Sequence, residues 1–164
     1  MTWIILRYFP FLIPFKILYQ DPFIIAIPHP IPSYTTHILI LPRIYLPDFL
    51  ALDIQSETGK KFVQSVYKAL KVLLADIEQE NIQLVINGGN YQDVKLLHMH
   101  LIENTHKIND LEVIETENTN AGLLKLFSQA KINIQSTECS AYRLIILFYK
   151  NKIQLQSQIV SDSN

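Results

Sequence analysis

The apolar residues of this chain recur with two different periods. After Ser56, Phe62, Val66, Leu70, Leu73 and Ile77 return at helical spacing, flanked by Val63, Tyr67 and Leu74, while Lys60, Lys68, Lys71 and Glu78 fall largely on other faces. Ser56 suits an N-cap and Glu57 the acidic first turn, so the pattern predicts one long amphipathic helix over residues 57–80. Elsewhere the apolar runs are short and bounded by turn formers, the pattern of strands. Residues 16–19 and 23–27 read as two strands about a Gln20-Asp21-Pro22 turn, and residues 37–41 as a strand buried on both faces. Between them, three prolines in residues 28–36 hold a stiff extended loop. Residues 47–52 read as a short helix, and residues 82–86 as the strand that follows the long helix.

That strand runs into Asn87-Gly88-Gly89, where the glycines predict a turn and a close backbone approach. Alternation then resumes over residues 94–102. Side chains of a strand point to opposite faces in turn, so His98 and His100 share one face while Leu97, Met99 and Leu101 take the other. Downstream the signal weakens: residues 111–114, 131–135, 142–149 and 153–160 have strand character, with Asn151-Lys152 a hairpin turn and residues 121–130 a helix. The last four residues read as a frayed end.

Composition narrows the class. A chain of 164 residues, 49% hydrophobic and 18% charged, fits one globular domain with a core. The formal charge of -1, without a run of Lys or Arg, gives no electrostatic footprint for nucleic acid. Cys139 is the single cysteine, so no internal disulfide forms, which suits a cytoplasmic localisation. Residues 1–14 are apolar but carry Arg7, Pro10 and Pro14, short of the roughly 20 apolar residues that spanning takes. We read residues 1–15 as an arm packed on the domain or on a second subunit, with contact between residues 1–14 and a membrane surface as the less favoured alternative.

Two histidines two apart on a strand suit a structural pair, a metal site or a nucleophile. His37, His98 and His100 have the nitrogen ligands of a zinc site, but no acidic residue sits beside them in a recognisable metal spacing, so no metal or other cofactor is expected. A neutral imidazole, with an unperturbed pKa near ~6.5, is nucleophilic at neutral pH and also a competent leaving group.

Gln92-x-Val94-x-x-x-His98-x-His100 resembles the signature of the histidine-triad (HIT) family, and Pro32 followed by His37-x-Leu39-x-x-Pro42-Arg43 resembles the family's upstream segment, with the helix in the expected place between them. The resemblance covers about residues 16–102, leaving residues 103–164 as a β-rich extension packed on the same domain. It departs from the family at three points: Leu96 stands at the first triad histidine, His29 at an upstream Asp, and the loop from Asn87 to Gln92 is short. The resemblance implies an α+β fold, an antiparallel sheet covered by one long helix, in a homodimer. It implies a nucleotide hydrolase or transferase cleaving at the α-phosphate of a nucleoside phosphoramidate, dinucleoside polyphosphate or adenylylated compound. His98 would be the nucleophile, His100 and Gln92 its catalytic partners. His37 would support the site, Asn87, Gly88 and Gly89 would meet the phosphate, and a purine nucleotide would lie against Ile27 with its ribose near His29. The alternative is a nucleotide-binding or protein-interaction module that keeps the scaffold without turnover.

Overall fold

A computed structural model describes residues 14–75, 81–103 and 113–161. The apolar arm falls almost wholly outside them, as do the far end of the predicted long helix and the last residues of the chain. The strands are β1 (Tyr19–Gln20), β2 (Ile24–Pro28), β3 (His37–Pro42), β4 (Ile82–Gly89), β5 (Met99–Glu103), β6 (Val113–Glu117), β7 (Cys139–Phe148) and β8 (Lys152–Ser161). They form one sheet in the order β1-β2-β3-β5-β4-β7-β8-β6, every neighbouring pair antiparallel. The expected C-terminal β portion therefore continues the sheet: β7 adds to β4 from Gln83↔Leu147 to Gly89↔Ala141.

Among the described residues two helices cover a single face, the long one and the one expected at residues 121–130. Helix α1 (Glu57–Leu73) starts where the pattern places it, with Ser56 Oγ accepting the Gly59 N–H at 3.0 Å, and stops short of the predicted residue 80. Helix α2 (Asn120–Gln135) is capped by Thr119, whose Oγ1 accepts the Gly122 N–H at 3.0 Å. Residues 131–135, expected as a strand, are its last turn. The alternating Ile132 and Ile134 imitate a strand, but Leu123, Leu126, Phe127, Ala130 and Ile134 form the buried helical stripe and Ile132 is left exposed. The predicted helix at residues 47–52 is a set of turns instead, with the Ala51 N–H on Asp48 Oδ1 and the Leu52 N–H on Phe49 O.

Strand alternation decides what the helices bury. Ile24, Ile40, Ile82, Leu84, Ile86, Met99, Leu101, Leu144 and Ile146 meet Phe62, Val66, Leu70, Leu126 and Phe127 in one core, where the rings of Phe49 and Phe127 stand edge to face at 5.2 Å. Their alternate neighbours turn to the other face. There Ile25, Ile27 and Leu96 form one small apolar cluster, and Val85, Ile102 and Ile145 another. The four described histidines lie on this second face.

The Asn87-Gly88-Gly89 segment closes β4 rather than forming a loop. Gly88 lies under Tyr142, whose ring a Cβ would strike, and Gly89 takes φ +58°, a conformation that L side chains rarely adopt. Strand β5 starts at Met99, five residues later than the alternation from Val94 suggests. The approach is bent, with the Leu96 N–H on Val94 O and the Leu97 N–H on Leu46 O, each at 2.7 Å.

Candidate active site

Four of the five histidines converge on the open face; the fifth, His106, lies outside the described residues. His100 stands on β5, opposite Leu39 of β3 and Val85 of β4. His37 begins β3, His98 immediately precedes β5, and His29 comes from the proline-rich loop. The imidazoles of His29 and His37 stack at 3.9 Å and 10°; His98 meets His100 edge to face at 5.0 Å.

Hydrogen bonds fix the tautomer of each ring in its neutral form. The nitrogen Nδ1 of His98 lies 2.8 Å from Leu96 O; a carbonyl only accepts, so Nδ1 carries the proton and Nε2 the lone pair. The opposite holds for His37, whose Nδ1 accepts the Ser33 N–H at 3.2 Å, leaving the proton on Nε2. That proton is donated to His100 Nδ1 at 3.0 Å, which puts the His100 proton on its own Nε2. His29 Nδ1 likewise accepts the Ile31 N–H at 3.1 Å. The result is a directed relay from Ser33 through His37 to His100, beside an imidazole with a nucleophilic Nε2.

Two of these rings, His100 and His37, are held toward the neutral form. Burial first, then the neighbouring His98, His37, His29 and Arg143, push the His100 pKa down to about 4, and burial and His29 lower that of His37. At neutral pH His100 therefore presents a neutral N–H rather than a charged imidazolium.

A cavity of about 380 Å³ contains His98 and His100, with Leu39, Leu41, Leu96 and Tyr91 in its wall and His29 at its edge. A second cavity of about 240 Å³ lies beyond His100 and is lined by His37, Tyr34, Gln83 and Arg143. Asn87 and His100 belong to both.

Not every expected site residue reaches these cavities. Ile27 packs behind the wall, against Leu39 and Leu96, and is 5% exposed. Gly88 and Gly89 line neither cavity and are paired to Tyr142 and Ala141 in the sheet. The Gln92 amide donates to Pro47 O at 2.8 Å and Val94 O at 2.7 Å, tying the turn before His98 to the 46–56 segment. For a metal, the ring nitrogens that come together are those of His29, His37 and His100, all within 4.8 Å, rather than a set that includes His98.

One residue that sequence reasoning missed is Arg143. It faces Asn87 across the β4–β7 ladder and donates from Nε to Asn87 Oδ1 at 2.9 Å, its guanidinium 5.3 Å from the Tyr91 ring centroid. The available signal was a lone charge inside the apolar run Tyr142-Arg143-Leu144-Ile145.

Known proteins share parts of this sequence and of this fold. The chain is 31% identical over 93 residues to the purine nucleoside phosphoramidase of Escherichia coli K12, covering 55% of this chain and 76% of that one. A DUF4931 family protein from Bacillus cereus shares the fold across 91% of this chain and 87% of its own, with a TM-score of 0.68 at 12% identity. Yeast Ap4A phosphorylase does so across 94% of this chain and 64% of its own, with a TM-score of 0.56 at 14% identity. Residues 11–107 match the model of the HIT domain, and the chain belongs to that family.

Proposed function

We propose that the protein is a nucleotide hydrolase or transferase that passes a nucleoside monophosphate through His98. The observation that carries this reading is the hydrogen bond from His98 Nδ1 to Leu96 O, which leaves Nε2 with a lone pair in the 380 Å³ cavity. Nε2 attacks the α-phosphorus, an N–P bond forms, and the leaving group departs with the electron pair of its bond to phosphorus. Water then attacks the nucleotidyl-histidine: a P–O bond forms, the N–P bond breaks with its pair returning to Nε2, and the proton of the water passes to solvent. The His100 Nε2–H stabilises charge on a phosphoryl oxygen, and His37 acts as a positioning residue that fixes the His100 tautomer. Asn87, its oxygen taken by Arg143, keeps its NH₂ for the same phosphoryl group.

In this reading Leu96 replaces the first histidine of the triad and serves through its backbone carbonyl, while its side chain joins Ile25 and Ile27. Gln92 becomes a positioning residue, because both of its donors are spent on carbonyls. Leu39 and Leu41 offer the apolar wall for a purine, and His29 takes the place beside the ribose. The likeness to the phosphoramidase supports the substrate class.

The test compares wild type and His98→Ala on an adenosine 5′-phosphoramidate and on a dinucleoside polyphosphate, with intact-mass detection of a nucleotidyl adduct. Turnover and adduct should both vanish in the variant while nucleotide binding persists. Equal turnover by the two proteins would overturn the reading. The apolar packing of Leu96 favours a second one, nucleotide binding without turnover, which a wild type that binds but never cleaves would establish.

A further inference from the structure

The 240 Å³ cavity has a chemistry the nucleophile does not need. Among its lining residues there is no carboxylate, and its one permanent charge is Arg143. The two ion pairs found among the described residues, Lys61–Glu57 and Lys152–Glu115, do not involve it. Asn87 holds Arg143 through Nε alone and Tyr91 stacks near the guanidinium, an arrangement that fixes the group in place and leaves the donors of its two terminal nitrogens for a ligand. A half-buried, oriented guanidinium without a carboxylate is a built anion receptor. It lies on the far side of the Asn87–His100 boundary from His98. A substrate whose α-phosphorus meets His98 beside that boundary would extend its leaving portion toward Arg143.

We propose that the Arg143 cavity is a subsite for the departing phosphate or polyphosphate, making phosphoanhydrides, rather than phosphoramidates of neutral amines, the preferred substrates. The inference rests on the His98 reading and sharpens its substrate class. When the P–O bond of an anhydride breaks, the electron pair stays on the departing phosphate oxygen, and Arg143 compensates that charge without a proton transfer. When a P–N bond breaks, the departing nitrogen needs a proton. The ring beside it, His100, is neutral because its Nδ1 accepts from His37 and burial opposes its protonation. The site is thus equipped to stabilise an anion and poorly equipped to protonate an amine.

The experiment uses the full chain as wild type, Arg143→Gln and Arg143→Lys, and measures kcat/KM on a dinucleoside polyphosphate and on an adenosine 5′-phosphoramidate. Wild type should favour the anhydride. Arg143→Gln should lower the anhydride-to-phosphoramidate ratio by about 10- to 100-fold, the usual worth of a hydrogen bond to a charged group, and Arg143→Lys should restore part of it. Equal loss on both substrates would reduce Arg143 to a prop for Asn87 and overturn the inference while leaving the His98 reading intact. Calorimetric titration with inorganic tripolyphosphate runs beside the kinetics, with thermal unfolding to check the variants. Wild type should bind it at least about tenfold more tightly than Arg143→Gln. Should wild type cleave neither substrate, the His98 reading fails alone and this titration decides the subsite. Should Arg143→Gln not fold, Arg143→Lys and competition by tripolyphosphate against wild-type turnover decide it, and absence of competition would refute it.

Discussion

The two faces of this sheet are built from the same strands and differ in what they can tolerate. Along β4, Leu84 and Ile86 point into a core sealed by two helices, while Gln83, Val85 and Asn87 between them line an open cavity. The helix face is one continuous apolar body with Phe62 and Phe127 fully buried. The other face has two small apolar clusters with histidines, two amides and an arginine around them. One alternation therefore separates folding from chemistry to within a single residue, and neighbouring substitutions should fail in different ways.

The sharpest form of that contrast pairs Phe62→Ala with His98→Ala. Removing the Phe62 ring leaves a cavity in the core and should cost about 3–5 kcal/mol of stability in urea unfolding, with little change in activity per folded molecule. His98→Ala should instead lose about three orders of magnitude or more in turnover with an unfolding midpoint close to wild type. If His98→Ala unfolds as readily as Phe62→Ala, the division between the faces is wrong.

Leu96→His tests a position where the division blurs, since Leu96 is both part of an apolar cluster and part of the cavity wall. Placing an imidazole against Ile25 and Ile27 should cost about 1–3 kcal/mol in thermal or urea unfolding, the expected penalty for burying a polar group without a partner. A neutral or stabilising outcome would show that the site accepts a further histidine there.

A smaller effect separates the faces by pH. Folded His100 has its pKa pushed down to about 4, whereas the unfolded chain regains the ordinary value of 6.5. The unfolded state therefore binds more protons between those values. Stability should be greatest above about pH 6.5, fall as the pH drops toward 4, and flatten below it with respect to this group; His37 contributes in the same direction. Urea midpoints recorded over this range should show the slope in wild type and a shallower one in His100→Gln. Phe62→Ala should shift every midpoint without changing the slope.

How far these features could be read from the sequence follows from how local their causes are. The helical stripe behind Ser56 and the pairing of His98 with His100 on one face are encoded within a few residues, and both are found in the structure. The identity of residues 131–135 is not local: Ile132 and Ile134 alternate like a strand, and only the burial of Ile134 beside Leu126 and Phe127 chooses the helix. The same holds for Gly88, read as a turn former, whose neighbour is a ring 54 positions away at Tyr142. Arg143 reaches the site from a strand beyond the family match, so no spacing rule connects it to His98, whereas His29, in the proline-rich loop, was legible only through the resemblance to the family.

The segment between β3 and α1 ties these distant parts together. Leu46 O accepts from the Leu97 N–H, Pro47 O accepts from Gln92, and Leu50 O and Leu52 O both accept from Lys131 Nζ, at 2.9 and 2.6 Å. Seven residues without helix or strand thus fasten the approach to His98 on one side and helix α2 on the other. Trimming the chain to residues 11–107 would remove Lys131 from those carbonyls and β7 from the flank of β4. The stretch that matches the family thus shares its sheet and its hydrogen bonds with residues beyond it, and residues 11–107 alone should unfold more readily than the whole chain.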